Sequence, residues 1–273
     1  MKSLKKYPVA ALAPFVRYYW YFEIDEDELP FAQLSFPYGS FELICYLENP
    51  NLMRWANSAD SFFEPDIFYA GQLTRPYVMT FNKKCRCVGA SLHPWAGDSL
   101  YDTSSHEFTN ELVALDLLET ECGLYDQLQM CASEDELFHC LESYLSTRLL
   151  PQQIDPLVCH LAKNIINQPT REALNLHLGN IGLSRRRMEQ RFIHSTGLPM
   201  GAFMRKVRFQ KAVRLLGEKH PDRNMTGIGL QAGYYDQAHF ISDFKDFAGL
   251  SPKFFCAEPS ALQDFLQTMV PVN

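Results

Sequence analysis

The sequence predicts an α+β protein, in which an N-terminal β-barrel with a helical extension precedes an all-α domain of two helix-turn-helix units joined by a long linker helix. Two observations lead to this prediction. The first hundred positions contain short runs of aromatic and β-branched residues separated by turn residues. A helix-turn-helix-like pattern occurs twice in the last hundred positions. Two domains are also the ordinary expectation for 273 residues of which 47% are hydrophobic and 21% charged.

The β structure is expected within residues 1–98. Segments rich in aromatic and β-branched residues are bounded there by turn signals such as the Pro-Tyr-Gly sequence at 37–39. Many short strands with turns between them are typical of a barrel or a double-sheet roll. The predicted strands are Phe15–Ile24, Phe41–Leu47, Phe62–Ala70, Tyr77–Phe81 and Val88–Leu92.

Residues 99–156 change to helical spacing and are expected to form a helical extension and a linker. Leucines recur at three-and-four spacing within 112–118 and within 137–145, and Ser133 with Glu136 has the spacing of a capping box. Two roles stay open for this amphipathic segment, which are packing against its own barrel and formation of a homodimer.

The two copies of the C-terminal pattern each contain an apolar pair spaced i, i+4, Met188 with Phe192 and Phe240 with Phe244. Each pair follows a glycine that can supply the turn between two helices, and such a pair buries one helical face and leaves the opposite face free. Two helix pairs that each offer a free helix to a groove are suited to reading two segments of duplex DNA. The expected divisions are 157–258 for a double helix-turn-helix domain and 259–273 for a C-terminal tail.

A long helix is expected to join the two units. Pro199 can begin it and Gly217 can end it, and the segment between them has an apolar face and a basic face that includes Arg205 and Arg208. The other helices expected in this half are 157–167, 170–180, 184–194, 225–232, 237–247 and a tail helix near 260–269.

The charge distribution separates the two halves. The chain has a net charge of −7, but residues 1–157 hold 10 Lys and Arg against 23 Asp and Glu, whereas residues 158–273 hold 15 against 9. Attraction to phosphate acts within roughly 8–10 Å at ordinary salt, so the basic half can bind nucleic acid despite the overall charge.

The remaining composition predicts a cytoplasmic protein without metal or cofactor. Eight scattered cysteines form no CxxC pair, which fits a reducing compartment, and no stretch approaches the roughly 20 apolar residues of a membrane span. Cys85 and Cys87 with His93 lack a fourth metal ligand in register, and no phosphate loop, nucleophile elbow or HExxH sequence occurs. We therefore do not expect an enzyme.

With these motifs, residues 178–255 resemble the DNA-binding domain of the AraC/XylS transcriptional regulators. GLSRRRMEQRF at 182–192, RFQKAVRLL at 208–216 and GYYDQAHFISDFKDFAGLSP at 233–252 follow the order and spacing of that family. The resemblance implies seven C-terminal helices and binding to double-stranded promoter DNA, with RNA polymerase as a further candidate partner.

Three N-terminal motifs are similar to the barrel-type sensor domain of one branch of this family, namely PYGSFELICYL (37–47), GQLTRPYV (71–78) and VGASLHPWAG (88–97). The resemblance implies a cupin-like effector domain for a small molecule. The residues expected to line its pocket are Tyr19, Trp20, Arg75 and Trp95. The alternative is that the aromatic rings form strand core and that the arginine is a surface charge.

The first recognition helix is expected to begin after Ser184, an N-cap that holds the helix N-terminus where it can meet a phosphate. On this helix, base edges are expected to face Arg186, Glu189 and Gln190, because arginine pairs with guanine and glutamine with adenine. Phosphate contacts are assigned to Arg185, Arg187 and Arg191, and to Arg205 and Arg208 on the linker helix.

The second recognition helix follows Asp236 as its N-cap, and the DNA-facing positions that the resemblance implies are Gln237, Ala238, His239, Ile241, Ser242 and Lys245. Two positions depart from the family, which often has arginine where this chain has Gln190 and Ser242. Residues 224–256 contain two lysines against three aspartates and no arginine. A ligand sensor that acts mainly through a protein partner, with weak DNA binding, therefore stays open as the alternative function.

Overall fold

The computed structural model describes residues 1–37, 39–101, 103–119, 123–149, 153–217 and 224–257. The strands are β1 Lys2–Lys6, β2 Val16–Ile24, β3 Phe31–Ser35, β4 Phe41–Glu48, β5 Leu52–Trp55, β6 Ser61–Phe63, β7 Ile67–Ala70, β8 Tyr77–Phe81, β9 Cys85–Leu92 and β10 Leu112–Ala114. The helices are α1 Leu115–Leu118, α2 Leu124–Gln129, α3 Glu134–Arg148, α4 Pro156–Asn167, α5 Arg171–Gly179, α6 Arg185–Thr196, α7 Met200–Gly217, α8 Met225–Ala232, α9 Gln237–Ala248 and α10 Pro252–Ala257.

The strands form two antiparallel sheets, one in the order β1-β2-β9-β4-β7-β10 and one in the order β3-β8-β5-β6. Successive side chains of a strand point to opposite faces, and β2 shows this alternation. Tyr19 and Tyr21 pack in a core with the helices, whereas Trp20 and Phe22 pack in the core between the two sheets. The larger sheet therefore lies between the smaller sheet and the helices that share the core of Tyr19 and Tyr21. This arrangement confirms the predicted α+β class.

One strand prediction and one helix prediction need correction. The predicted strand Phe62–Ala70 is interrupted at Glu64–Asp66 and forms β6 and β7 in different sheets, because Pro65 cannot donate to a ladder. The spacing of Leu112 predicted helix, but Leu112–Ala114 pairs with β7 as strand β10. Strands β1, β3 and β5 were not predicted, because strand formation depends on partners that are distant in sequence.

The C-terminal helices α4 to α9 match the predicted ones within about two residues. Helix α10 was not predicted, and with it the described C-terminal residues form the seven helices that the resemblance implied. The predicted tail helix near 260–269 lies outside the described residues. Every helix in the described part of the chain is too short or too polar to cross a lipid bilayer.

Candidate nucleic-acid interface

The two helix-turn-helix units are built in the same way. Met188 and Phe192 of α6 and Phe240 and Phe244 of α9 are all 0% exposed, so each recognition helix buries one apolar face. The partner helices are α5 in the first unit and α8 in the second. The opposite face of each recognition helix is left to solvent, as the i, i+4 spacing predicted.

Local backbone chemistry fixes the entry to each recognition helix. Gly182 and Gly233 occupy the turns with φ of +71° and +98°, a conformation that glycine adopts without strain. Ser184 Oγ accepts a hydrogen bond from the Arg187 amide at 3.3 Å, and Asp236 Oδ1 accepts one from the His239 amide at 2.8 Å. Both N-caps were predicted and are confirmed.

The exposed side chains of α6 are Arg185, Arg186, Arg187 and Gln190, with His194 near its C-terminal end. Arg185 Nη1 donates to Asn175 Oδ1 at 3.3 Å, which ties it to the preceding helix α5. Arg186 and Arg187 form no ion pair with any described residue. Both guanidinium groups are thus available to an outside anion.

Further along α6, Glu189 and Arg191 were also assigned to DNA contact, and both have partners within the protein. Glu189 Oε1 accepts a hydrogen bond from the Met200 amide at 2.8 Å, so it caps the linker helix α7. Arg191 Nε donates to Asp155 Oδ2 at 2.6 Å, and Asp155 also caps α4. A phosphate would have to compete with this carboxylate for Arg191.

A cleft of about 570 Å³ lies beside this ion pair, and its lining includes Gln190, Arg191 and Asp98. Asp98 accepts from Ser195 Oγ at 2.9 Å and lies 3.6 Å from His194 Nε2. Burial raises the pKa of Asp98 above its ordinary value. The acidic half of the chain therefore contacts the C-terminal end of the first recognition helix directly, which sequence analysis did not reveal.

Arg205 and Arg208 of the linker helix hold the second unit against α7. Arg205 forms ion pairs with Asp243 at 2.8 Å and with Asp246 at 2.6 Å, both on α9. Arg208 is half-buried, donates through Nε to the Pro169 carbonyl at 2.6 Å and lies 5.7 Å from the centre of the Tyr234 ring. Their contacts are thus mainly internal, and such long-range partners cannot be predicted from local sequence.

On α9 the exposed positions form a mostly uncharged face. These exposed residues are Gln237, Ala238, His239, Ser242, Lys245 and Asp246, the last of which pairs with Arg205. Ile241 is half-buried and packs against the core of the second unit. His239 Nδ1 lies 2.8 Å from Asp236 Oδ2, and Gln237 Oε1 accepts from Thr226 Oγ1 at 3.2 Å, so both side chains are oriented by neighbours. This face offers hydrogen bonds, the methyl group of Ala238 and one lysine.

The four residues assigned to an effector pocket lie in separate places. Tyr19 packs against the Phe138 ring of α3 at 6.4 Å, on the opposite face of β2 from Trp20. Arg75 stacks over the Trp55 ring at 4.1 Å, and Trp95 stacks on His93 at 4.3 Å. Tyr19 and Trp95 belong to the core shared with the helices, whereas Trp20 packs between the two sheets.

Sequence analysis missed the carboxyl groups on the inner side of the larger sheet. Glu42 accepts hydrogen bonds from Trp20 Nε1 at 2.9 Å and from Ser40 Oγ at 2.8 Å. Burial raises its pKa above the ordinary value, and burial raises the pKa of Glu64 to about 7. Side chains alternate between the two faces of β4, so Glu42 lies on the same face as Ile44 and Tyr46. This alternation could have placed Glu42 on an apolar face from the sequence alone.

Comparisons with known proteins match the two halves separately. Residues 5–114 match a domain of unknown function (DUF6597), and residues 179–257 match a helix-turn-helix domain family. An uncharacterized HTH-type transcriptional regulator of Haemophilus influenzae is 37% identical over 70 residues, which is 26% of this chain. The match spans only 23% of that relative's length.

Several solved structures of ToxT from Vibrio cholerae have a backbone trace similar to that of this chain. One has a TM-score of 0.48 at 11% identity and covers 87% of this chain and 96% of ToxT. Another, ToxT bound to (E)-4-(8-methylnaphthalen-1-yl)but-3-enoic acid, has a TM-score of 0.47 at 12% identity and covers 87% of this chain and 97% of that one.

Proposed function

We propose that the chain is a sequence-specific DNA-binding transcriptional regulator of the AraC/XylS type, supported by the match of residues 179–257 to a helix-turn-helix domain family and by the 37% identity over 70 residues to an HTH-type transcriptional regulator. The observation that supports this most is the pair of capped helices, α6 and α9, each with a buried apolar face and an exposed polar face. In this proposal the two helices enter successive major grooves of a promoter.

The two units contribute differently to binding. The first unit supplies affinity, because Arg186 and Arg187 are exposed and form no ion pair among the described residues. Phosphate neutralisation supplies most of the sequence-independent binding energy of such proteins. The second unit supplies hydrogen bonds and a surface that fits the groove. Its exposed face carries Gln237, His239 and Ser242 together with the cation Lys245.

Replacing Arg186 with alanine is expected to weaken binding to the preferred duplex by roughly 1–3 kcal/mol and to relax the base preference at one position. The physical reason is loss of a bidentate contact to a base edge. The measurement is selection of preferred sites from a random duplex library, followed by titration of the selected and mismatched duplexes.

The matched control is Arg187→Ala on the same exposed face. If Arg187 contacts phosphate, its loss lowers affinity for all duplexes alike and makes the slope of log affinity against log salt less steep by about one. A uniform loss with Arg186→Ala as well would move Arg186 to the phosphate-contacting class.

We also propose that a small molecule bound in the N-terminal domain modulates this activity. The support is the Glu42 carboxyl group, half-buried between the two sheets and hydrogen-bonded to Trp20 and Ser40. Trp20 fluorescence offers the readout, since a ligand that contacts Glu42 changes the environment of the indole. A Glu42→Gln variant that responds unchanged to such a ligand would place the ligand elsewhere.

A further inference from the structure

The hydrophobic cores do not follow the division into an N-terminal and a DNA-binding domain. One continuous core runs from the larger sheet through α3 and α4 into the first helix-turn-helix unit, and it ends on α7 at Val207. A second core begins on α7 at Phe209 and contains the second unit. The linker helix therefore passes from one packed body into another between these two residues.

The first unit is fixed to the N-terminal domain by a dense polar contact. Ser105 Oγ donates to the Ser195 carbonyl at 2.8 Å, and Thr109 Oγ1 donates to the Gly197 carbonyl at 3.0 Å. Gly197 has a φ of +76°, and a Cβ there would lie 2.9 Å from the Ser105 carbonyl oxygen. The end of α6 thus lies directly on the 105–109 segment with no room for a side chain.

The N-terminal domain also contacts the second unit, and it inserts one aromatic ring into that unit's core. Phe36, which follows β3, is 0% exposed and belongs to the core of the second unit. Its ring lies 5.5 Å from that of Phe255 and 6.2 Å from that of Phe209, both in edge-on arrangements. Gln210 Nε2 adds a hydrogen bond to the Pro37 carbonyl at 3.1 Å.

The junction between the two cores is also held from the N-terminal side. Lys206 is 1% exposed, and its Nζ donates to Gln72 Oε1 at 2.7 Å and to the Leu73 carbonyl at 2.8 Å. This lysine sits on α7 between Val207 and the first-unit residue Met204. The N-terminal domain therefore binds the linker helix close to the junction of the two cores. A bend of α7 at this junction would change the orientation of the second unit relative to the first.

From these contacts we infer that the N-terminal domain sets the separation and relative orientation of the two recognition helices, with Phe36 and Gln210 as positioning residues for the second unit. This inference rests on the proposed function. Without the contacts of Phe36 and Gln210, here called the brace, the second unit is held to the first by α7 and by the close approach of Gly233 to Pro169. Bending of α7 would then let α9 reach half-sites at altered spacing. With the brace, the spacing between half-sites becomes part of what the protein recognises.

The spacing of the DNA site gives the test. One inserted base pair moves a half-site by about 3.4 Å and rotates it by about 35°. When one base pair is inserted between the half-sites of the selected duplex, we expect the affinity of the wild-type protein to fall roughly tenfold or more. The affinity of Phe36→Ala should fall less than about threefold, relative to its affinity for the duplex without the insertion. Affinity for a duplex with only the first half-site is expected to be the same in both proteins.

Two further variants keep the test valid if Phe36→Ala lowers overall stability. Phe36→Leu retains most of the buried volume and should recover an intermediate spacing penalty, and Gln210→Ala removes the hydrogen bond without touching the core. Phe63→Ala, at a 70% exposed position on β6, is the matched phenylalanine control and should behave as wild type.

An equal spacing penalty in wild type and in all three brace variants would overturn the inference, as would a wild-type protein that tolerates the insertion. Absence of binding to any selected duplex would instead contradict the proposed function itself. The two failures are therefore distinguishable in one set of titrations.

Discussion

Truncation of Phe240 to alanine is expected to unfold the second helix-turn-helix unit while the remainder of the chain stays folded. Phe240 is 0% exposed, and its ring lies 5.4 Å from Tyr234 and 5.8 Å from Phe244. Gly229 approaches it so closely that a Cβ there would lie 3.3 Å from the ring, so the surroundings are close-packed. Replacing such a phenylalanine with alanine costs about 3–5 kcal/mol.

The loss is expected to be local because the second unit has its own hydrophobic core. Denaturation of Phe240→Ala should therefore show an early transition that the wild-type protein lacks, and DNA affinity should fall to that of the first unit. Ser242→Ala, exposed on the same helix, should change stability by less than about 0.5 kcal/mol. Unchanged stability and unchanged DNA affinity in Phe240→Ala would show that α9 does not depend on this core.

The free energy of unfolding of the wild-type protein is expected to rise, relative to a Lys206→Met variant, as the pH increases from about 7 to 9. Burial lowers the pKa of Lys206 from 10.5 to about 7, and no described charged group offsets that cost. Between these values the unfolded chain holds a proton on this lysine that the folded chain has released, so folding is increasingly favoured as the pH rises. Below about pH 7 both states are protonated and the contribution is constant.

Each pH unit within this window is worth at most about 1.4 kcal/mol, so the difference between the two proteins should change by up to about 2.7 kcal/mol from pH 7 to 9. Urea denaturation at several pH values measures it. Other titrating groups are common to both proteins and cancel in the comparison. Lys245→Met, at an exposed position on α9, is the control that removes a lysine charge elsewhere. A stability curve for Lys206→Met that runs parallel to that of the wild type would mean that Lys206 is solvated.

Local sequence was sufficient to predict the helix-turn-helix units. The pairs Met188 with Phe192 and Phe240 with Phe244, the capping Ser184 and the turn at Gly233 all depend on neighbours within a few residues, and each lies where periodicity and turn chemistry predicted. Fold class followed from the same kind of signal, because strand-like and helix-like periods occupy different parts of the chain.

The contacts that position the candidate interface could not be predicted in this way. Phe36 gave no signal of its own, because its role depends on Phe209 and Phe255, which lie far along the chain. The pairing of Arg191 with Asp155 likewise joins segments 36 residues apart. Helical periodicity showed that Arg191 faces away from the apolar core. It could not show that the Asp155 carboxylate is already paired with the Arg191 guanidinium group.

The measurement that tests the central claim most directly is binding of the purified protein to the DNA upstream of its own gene at two salt concentrations, with random duplex as competitor. A regulator that contacts about six phosphates should lose roughly 10³-fold in affinity between about 50 and 200 mM salt, while still preferring the specific duplex. Equal binding to both duplexes with a salt slope near zero would contradict a sequence-specific DNA-binding role and favour a sensor that acts through a protein partner.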